Sequence, residues 1–324
     1  MLDKNKENSY FLGVDVGSVS TDIALLDYFG NLITKKYLRT KGQPVRVLQE
    51  GLSSLKKEYD EINILGVGTT GSGRNLAGVI LGSDVVKNEI STHAVAASKL
   101  VSDVQTVIEI GGQDSKIIII RDGIAVDFAM NSVCAAGTGS FLDQQASRLE
   151  IDIKDFGGYA LKAESPVRIA GRCSVFAESD MIHKQQLGYD LPEIIAGLCE
   201  AMVRNYLNNV AKGKDIRTPI VFQGGVAANV GIKKAFEKEL GEEVYVPEYH
   251  DVMGAIGAGL LARENILYKK NKTKFKGFDI TDIDFKTKSF ECDACPNKCE
   301  VVNIYQDGQL IARWGFKCTK WEAV

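Results

Sequence analysis

Short apolar runs broken by glycine dominate the first half of the chain. Tyr10 to Leu26 (YFLGVDVGSVSTDIALL) reads as two β-type runs meeting at Gly17-Ser18, and Asn31 to Arg39 reads as a third strand. From Pro44 to Tyr59 the period changes. Val45, Leu48, Leu52 and Leu55 recur at helical spacing with charge between them. INILGVGTTGSG then reads as a strand ending in a Gly/Thr loop. VQTVIEIGGQDSKIIIIRDG repeats the opening plan: a strand, a bend at Gly111-Gly112, a second strand, and Asp122-Gly123 closing a hairpin. Helical spacing returns at Ser140 to Leu149 and Leu191 to Ala211. TPIVFQGGVAANVGIKKAFEKEL is a strand that breaks at Gly224-Gly225 into a helix, and GAIGAGLLARENIL is a helix of small residues.

The two blocks share a hydrophobic strand, an Asp beside glycines, a hydroxyl residue and another strand. This is weak internal symmetry, and it predicts two lobes of related architecture. Hairpins mixed with strand-to-helix crossovers predict an α/β fold with mixed sheets. The lobes are expected at about 1–95 with 252–268, and at 96–251. Residues 269–290, rich in Lys, Asp and Thr, read as a linker to a Cys-rich extension at 291–324.

Composition narrows the function classes. In 324 residues, 45% hydrophobic and 25% charged, a large core is available and disorder is not expected. The net charge of −3 gives no electrostatic footprint for nucleic acid or anionic membrane. MLDKNKENSYFLGVD lacks the apolar stretch of a signal peptide, and a cytoplasmic protein is expected. Seven cysteines in such a chain favour metal or redox chemistry over disulfides.

Three glycine turns each leave a strand: Gly13 to Ser20, Gly111 to Ser115 and Gly224 to Asn229. Backbone N–H groups in such turns form an anion-binding concavity. Asp15 and Asp114 lie in the first two. Two carboxylates facing a polyphosphate would repel it unless Mg²⁺ stood between them. The pattern predicts a Mg²⁺-nucleotide gripped by Gly17, Ser18, Val19, Ser20, Gly111 and Gly112. Gly224, Gly225, Val226 and Asn229 suit adenine lying on small side chains. Gln113 or Asp114 is the candidate to orient a hydrolytic water, and Arg74 to reach the terminal phosphate. No P-loop and no GxGxxG opening a βαβ unit is present.

GVDVGSVSTD, IEIGGQDSK and VFQGGVAANVG, in that order, resemble the phosphate-1, phosphate-2 and adenosine segments of the superfamily containing actin, hexokinase, and the sugar and acetate kinases. The resemblance spans about residues 10–268 and implies a two-lobed, ATP-cleaving fold. Cys134, in NSVCAAGTGSFL, and Cys173, in RCSVFAES, each stand where a helix-like run begins. A helix N-terminus favours a thiolate or an anionic cluster. Two thiols are too few for a four-iron cluster, whereas two chains about a two-fold axis supply four.

With VCAAGTGSFL, RCSVFAES and GGVAANVGIKKA included, the resemblance narrows to the activators of 2-hydroxyacyl-CoA dehydratases. That group includes the ATPase subunits of benzoyl-CoA reductase and the reductase of the double-cubane cluster protein. It implies a homodimer holding one [4Fe–4S] cluster between Cys134 and Cys173 of each chain. It also implies ATP-driven transfer of a low-potential electron to an iron–sulfur acceptor enzyme, with ferredoxin or flavodoxin as donor. Two other classes stay open: a small-molecule kinase of the same superfamily, and a nucleotide-dependent sensor or assembly protein using its cysteines for zinc.

Cys199, on an apolar helix face, reads as a core thiol, and His93, His183 and His250 as structural or surface residues. The tail offers Cys292, Cys295, Cys299 and Cys318 at C-x2-C-x3-C-x18-C around a hairpin (VVNIY, QLIARW). This spacing suggests Zn²⁺ or a second iron–sulfur site. Shorter activators lack the segment. In longer members a similar sequence joins the ATPase part to further domains.

Overall fold

Ser9–Val16 (β1) and Ser20–Leu26 (β2) form the first hairpin because their apolar positions can all be buried while Gly17 and Ser18 turn the chain. In the computed structural model, which describes residues 8–59, 62–131 and 135–321, two units emerge: residues 1–89 with 254–324, and residues 90–253.

In the first unit, Leu32–Arg39 (β3) completes an antiparallel meander. The chain crosses through Pro44–Glu58 (α1) to Asn63–Thr70 (β4), parallel to β1, and through Arg74–Leu81 (α2) to Val85–Val86 (β5), parallel to β4. The sheet order is β3-β2-β1-β4-β5. After Glu89–Leu100 (α3), the second unit repeats the plan. Thr106–Ile110 (β6), Ser115–Arg121 (β7) and Ile124–Asn131 (β8) form a meander. Ile220–Gln223 (β9) joins parallel to β6 and Val244–Tyr245 (β10) parallel to β9, giving β10-β9-β6-β7-β8. The internal symmetry read from the sequence is thus a repeat of sheet topology.

The repeats differ in one crossover. A single helix joins β3 to β4. Between β8 and β9 stand Gly139–Arg148 (α4), Ile153–Ala160 (α5), Ser174–Gln186 (α6) and Leu191–Asn209 (α7). The second unit's core gathers Phe156, Leu198 and Tyr206 from this excursion against Ile108, Ile117 and Phe222 of the sheet, with Phe236 of Val230–Leu240 (α8) beside them.

Met253–Lys269 (α9) explains its own small-residue composition. A Cβ at Gly13 of β1 would lie 1.8 Å from Ala255 O, and one at Gly68 of β4 would lie 2.0 Å from Ala258 O. Helix backbone meets strand backbone here, and only glycine permits that approach.

The expected linker at 269–290 is instead folded onto the first unit. Gln49 Nε2 donates to Ile280 O at 2.9 Å and to Ile283 O at 2.8 Å. Ile280 and Phe285 are buried in one cluster with Leu48 and Leu52. The apolar anchors are spaced too widely among Lys, Asp and Thr to show a period, so composition suggested a linker. Phe285–Glu291 (β11), Glu300–Gln306 (β12) and Gln309–Trp314 (β13) form a three-stranded antiparallel sheet, and Ile304 enters the same cluster. The Cys-rich extension is therefore part of this unit. Among the described residues, no helix is long and apolar enough to cross a membrane.

Candidate nucleotide and cysteine site

The first glycine turn is tightly braced. Gly17 N donates to Ser20 O at 2.8 Å, Thr40 N to Val19 O at 2.8 Å, and Thr40 Oγ1 to Gly17 O at 3.1 Å. Ser18 is exposed at its tip. Asp15, half-buried on β1, lies opposite Asp22 on β2 and beside Thr70 on β4. Gly71 follows Thr70 with φ +91°, and a Cβ there would sit 2.4 Å from Asp15 Oδ1. The glycine keeps that carboxylate at the mouth of the turn. Arg74 Nη1 donates to Gly71 O at 3.0 Å. One arm of its guanidinium thus braces its own loop.

The second turn closes through Gly111 N donating to Asp114 O at 3.0 Å, with Gln113 exposed. Glu109, not Asp114, occupies the register place of Asp15. It lies opposite Lys116 on β7 and beside Gln223 on β9, just as Asp15 lies opposite Asp22 and beside Thr70. Gly224 follows Gln223 with φ +90°, matching Gly71. Lys116 Nζ stands 2.9 Å from both Glu109 Oε2 and Asp114 Oδ2, and Glu109 and Lys116 are both buried. The sequence reading missed this pair because neither residue is itself a turn residue. The available signal was Glu-x₆-Lys flanking the glycines.

At the third turn, Gly224 N donates to His250 O at 2.8 Å, and His250 Nδ1–H donates to Gly224 O at 3.0 Å. His250 therefore fixes the turn expected to meet adenine. Gly225 is exposed and Val226 buried. Asn229, expected at the nucleotide, is the N-cap of α8: its Oδ1 accepts from Gly231 N at 3.0 Å and Ile232 N at 3.1 Å. His93 is buried, with Nδ1 accepting from Gln223 Nε2 at 2.7 Å.

The second turn is tied to the start of α4. Gly139 N donates to Gly111 O at 2.9 Å and Ser140 N to Gly112 O at 2.8 Å, while Ser140 Oγ donates to the same Gly112 carbonyl at 2.6 Å. Cys134 lies outside the described residues; a 3₁₀ turn at Ala135–Gly137 follows it and leads into α4. Cys173 is the N-cap of α6, half-buried, and no side chain is spent on the helix's first amides. Glu178 on α6 pairs with Arg148 of α4 at 2.8 Å and accepts from Gln144 at 3.1 Å, linking the two helices that follow the cysteines.

Cys199 is a core thiol, as its apolar surroundings suggested: burial pushes its pKa up to about 12. In the tail, Cys292 N donates to Cys299 O at 2.8 Å. The Cys292 sulfur accepts from Trp321 Nε1 at 3.3 Å, and this bond draws the thiol below its ordinary range. The spacing of these cysteines suggests a tail metal site. Among the described residues, no three His, Cys, Asp or Glu side chains stand where they could hold an ion. Cys295 and Cys318 are exposed, Cys299 is half-buried and Cys292 is buried.

A model described as the BadF/BadG/BcrA/BcrD ATPase family matches residues 12–262. The chain belongs to this ATPase family. A curated relative, the (R)-2-hydroxyglutaryl-CoA dehydratase activating ATPase of Acidaminococcus fermentans, is 37% identical over 81% of this chain and 98% of its own. The solved activator of the 2-hydroxyisocaproyl-CoA dehydratase from Clostridium difficile, with bound ADPNP, superposes with a TM-score of 0.73 at 29% identity, covering 81% and 97%. The crystal structure of the A. fermentans dehydratase component A gives 0.72 at 36% identity, covering 80% and 99%. As a member of the BadF/BadG/BcrA/BcrD family, the chain is an ATPase with the two-lobed α/β fold expected from its glycine turns.

Proposed function

We propose that this ATPase is a reductive activase: a homodimer that uses ATP to pass a low-potential electron to an iron–sulfur acceptor of the 2-hydroxyacyl-CoA dehydratase kind. The observation that carries the reading is the bonding of Gly111 and Gly112 to the start of α4, because it joins the phosphate turn to the segment that contains Cys134. Asp15 and the Gly17–Ser20 turn are assigned to Mg²⁺ and phosphate. Gly111, Gly112, Gln113 and Asp114 are assigned to phosphate and the hydrolytic water, and Gly224, Gly225 and Val226 to adenosine.

Cys134 and Cys173 would hold a [4Fe–4S] group shared with a second copy. The donor chemistry fits, since Cys173 is a half-buried thiol standing at the N-cap of α6 and its side chain makes no capping hydrogen bond. When bound, that group supplies one-electron chemistry at low potential. This chain's own residues would hold the two cysteines, and a movement of the second glycine turn would be passed on through its bonds to the start of α4. For one electron, about 1.4 kcal/mol of nucleotide-linked energy corresponds to about 59 mV.

A second copy is supported by exposed apolar surface beside Cys173 and along β8. Val175 and Phe176, directly after Cys173, are 66% and 65% exposed. Edge strand β8, which ends just before the Cys134 loop, exposes Ile124, Val126, Phe128 and Met130 at alternate positions. Ferredoxin or flavodoxin would supply the electron.

The test is Cys173→Ala, purified without oxygen. The variant is expected to bind ATP like the parent and to lose its iron and its transfer of electrons. Iron unchanged in this variant would refute the ligand assignment.

A further inference from the structure

One turn of α7 reaches both the segment leading to Cys173 and the Ala135–Gly137 turn. Arg204 Nη2 donates to Ile169 O at 3.0 Å, Asn205 Nδ2 to Gly171 O at 2.5 Å, and Tyr206 Oη to Lys116 O at 2.7 Å. The first two bonds hold the chain leading to Cys173, and the third anchors α7 to β7, the strand that leaves the phosphate turn. Asn205 is 2% exposed. A Cβ built on Gly137, the last residue of the 3₁₀ turn after Cys134, would lie 3.1 Å from Asn205 Oδ1. That oxygen has no hydrogen-bond partner among the described residues, although it is fully buried. A buried amide acceptor without a donor is costly, and natural cores rarely retain one without use.

We propose that Asn205 is a positioning residue that sets the separation between the Ala135–Gly137 turn, which follows Cys134 in the chain, and the segment leading to Cys173. The inference rests on the reading that these two cysteines ligate a shared iron–sulfur group. An amide suits the place because it donates to the Gly171 carbonyl while presenting an acceptor toward the Gly137 turn. Neighbours of this kind orient the ligands themselves and so tune the group the ligands hold. Alanine would leave the Gly171 carbonyl without its donor and open a gap between the loops. Serine keeps a polar group in the slot but is too short to span it.

The test uses the full chain, prepared without oxygen, as parent, Asn205→Ala and Asn205→Ser. Iron content, rate of iron loss to a chelator, the electron paramagnetic resonance spectrum of the reduced protein and its reduction potential are measured with and without ADPNP. Nucleotide affinity and thermal unfolding in the absence of iron serve as controls. Both variants are expected to bind nucleotide within twofold of the parent and to lose iron at least fivefold faster, with altered spectra and a changed potential. Serine keeps the experiment usable if alanine does not fold. A loaded parent whose serine variant matches it in chelation rate, spectrum and potential overturns the proposal alone. A parent without iron overturns both the proposal and the reading beneath it.

Discussion

Lys116 holds its ammonium 2.9 Å from the carboxylate of Glu109 on the neighbouring strand, with both side chains buried. It reaches Asp114 of the second glycine turn at the same distance. The second unit thus supplies its own cation at its glycine turn, whereas the matching register place in the first unit sets Asp15 opposite Asp22. The two turns share a backbone plan and differ in charge.

Removing the cation should be expensive. Lys116→Met leaves a carboxylate buried without its counter-charge, and a loss of about 3–5 kcal/mol is expected. Adding Glu109→Gln should recover a large part of it. Urea unfolding of the single and double variants measures both effects; additive losses would contradict the pairing.

The contact of α9 with the first sheet gives a prediction about one methyl group. Gly13→Ala places a Cβ where Ala255 O already stands, so the strand or the helix must move. A loss of at least about 2 kcal/mol is expected by comparison with other overpacked cores. Gly158→Ala, inside α5 with open space at its Cβ position, should be neutral or stabilising by up to about 1 kcal/mol. Thermal melts of the two variants should move in different directions or by clearly different amounts.

Burial of Cys199 sets a pH dependence. Its folded pKa, about 12, lies above the ordinary value of 9.0. The stability kept by holding the thiol neutral is therefore complete below the unfolded value. It is lost as pH rises through the window from about 9 to 12, at about 1.4 kcal/mol per unit. Tyr206, also raised by burial, acts in the same direction. Cys199→Ala should flatten the alkaline limb of the stability curve. An unchanged slope would show that the thiol does not contribute.

The Ser140 hydroxyl and amide both donate to Gly112 O, a doubled contact between the second glycine turn and α4. Ser140→Ala keeps only the amide bond. ATP hydrolysis should stay within about threefold of the parent, while electrons delivered per ATP should fall severalfold. Equal losses in both would mean that the hydroxyl shapes the nucleotide site and not the coupling.

Much of this molecule was legible in the sequence because glycine turns between apolar runs constrain both fold and chemistry. The two hairpins, the Asp122-Gly123 turn, the small-residue helix and the helix starting at Cys173 all follow from local pattern. Three features did not. The segment around Ile280 and Phe285 hides its anchors at wide spacing among charges. Glu109 and Lys116 meet only because an antiparallel register sets them opposite each other. His250 and Asn205 act through backbone carbonyls far away in sequence, and no periodicity announces such bonds. Asn229, read from its motif as a nucleotide residue, also caps a helix through its carbonyl, a use the motif did not announce.

The central claim is that two copies of this chain clasp one iron–sulfur group through Cys134 and Cys173. Native mass measurement of the intact protein, prepared without oxygen, tests it directly. The account predicts two chains carrying four iron and four sulfide in one assembly. A single chain without iron would contradict it and leave only an ATPase.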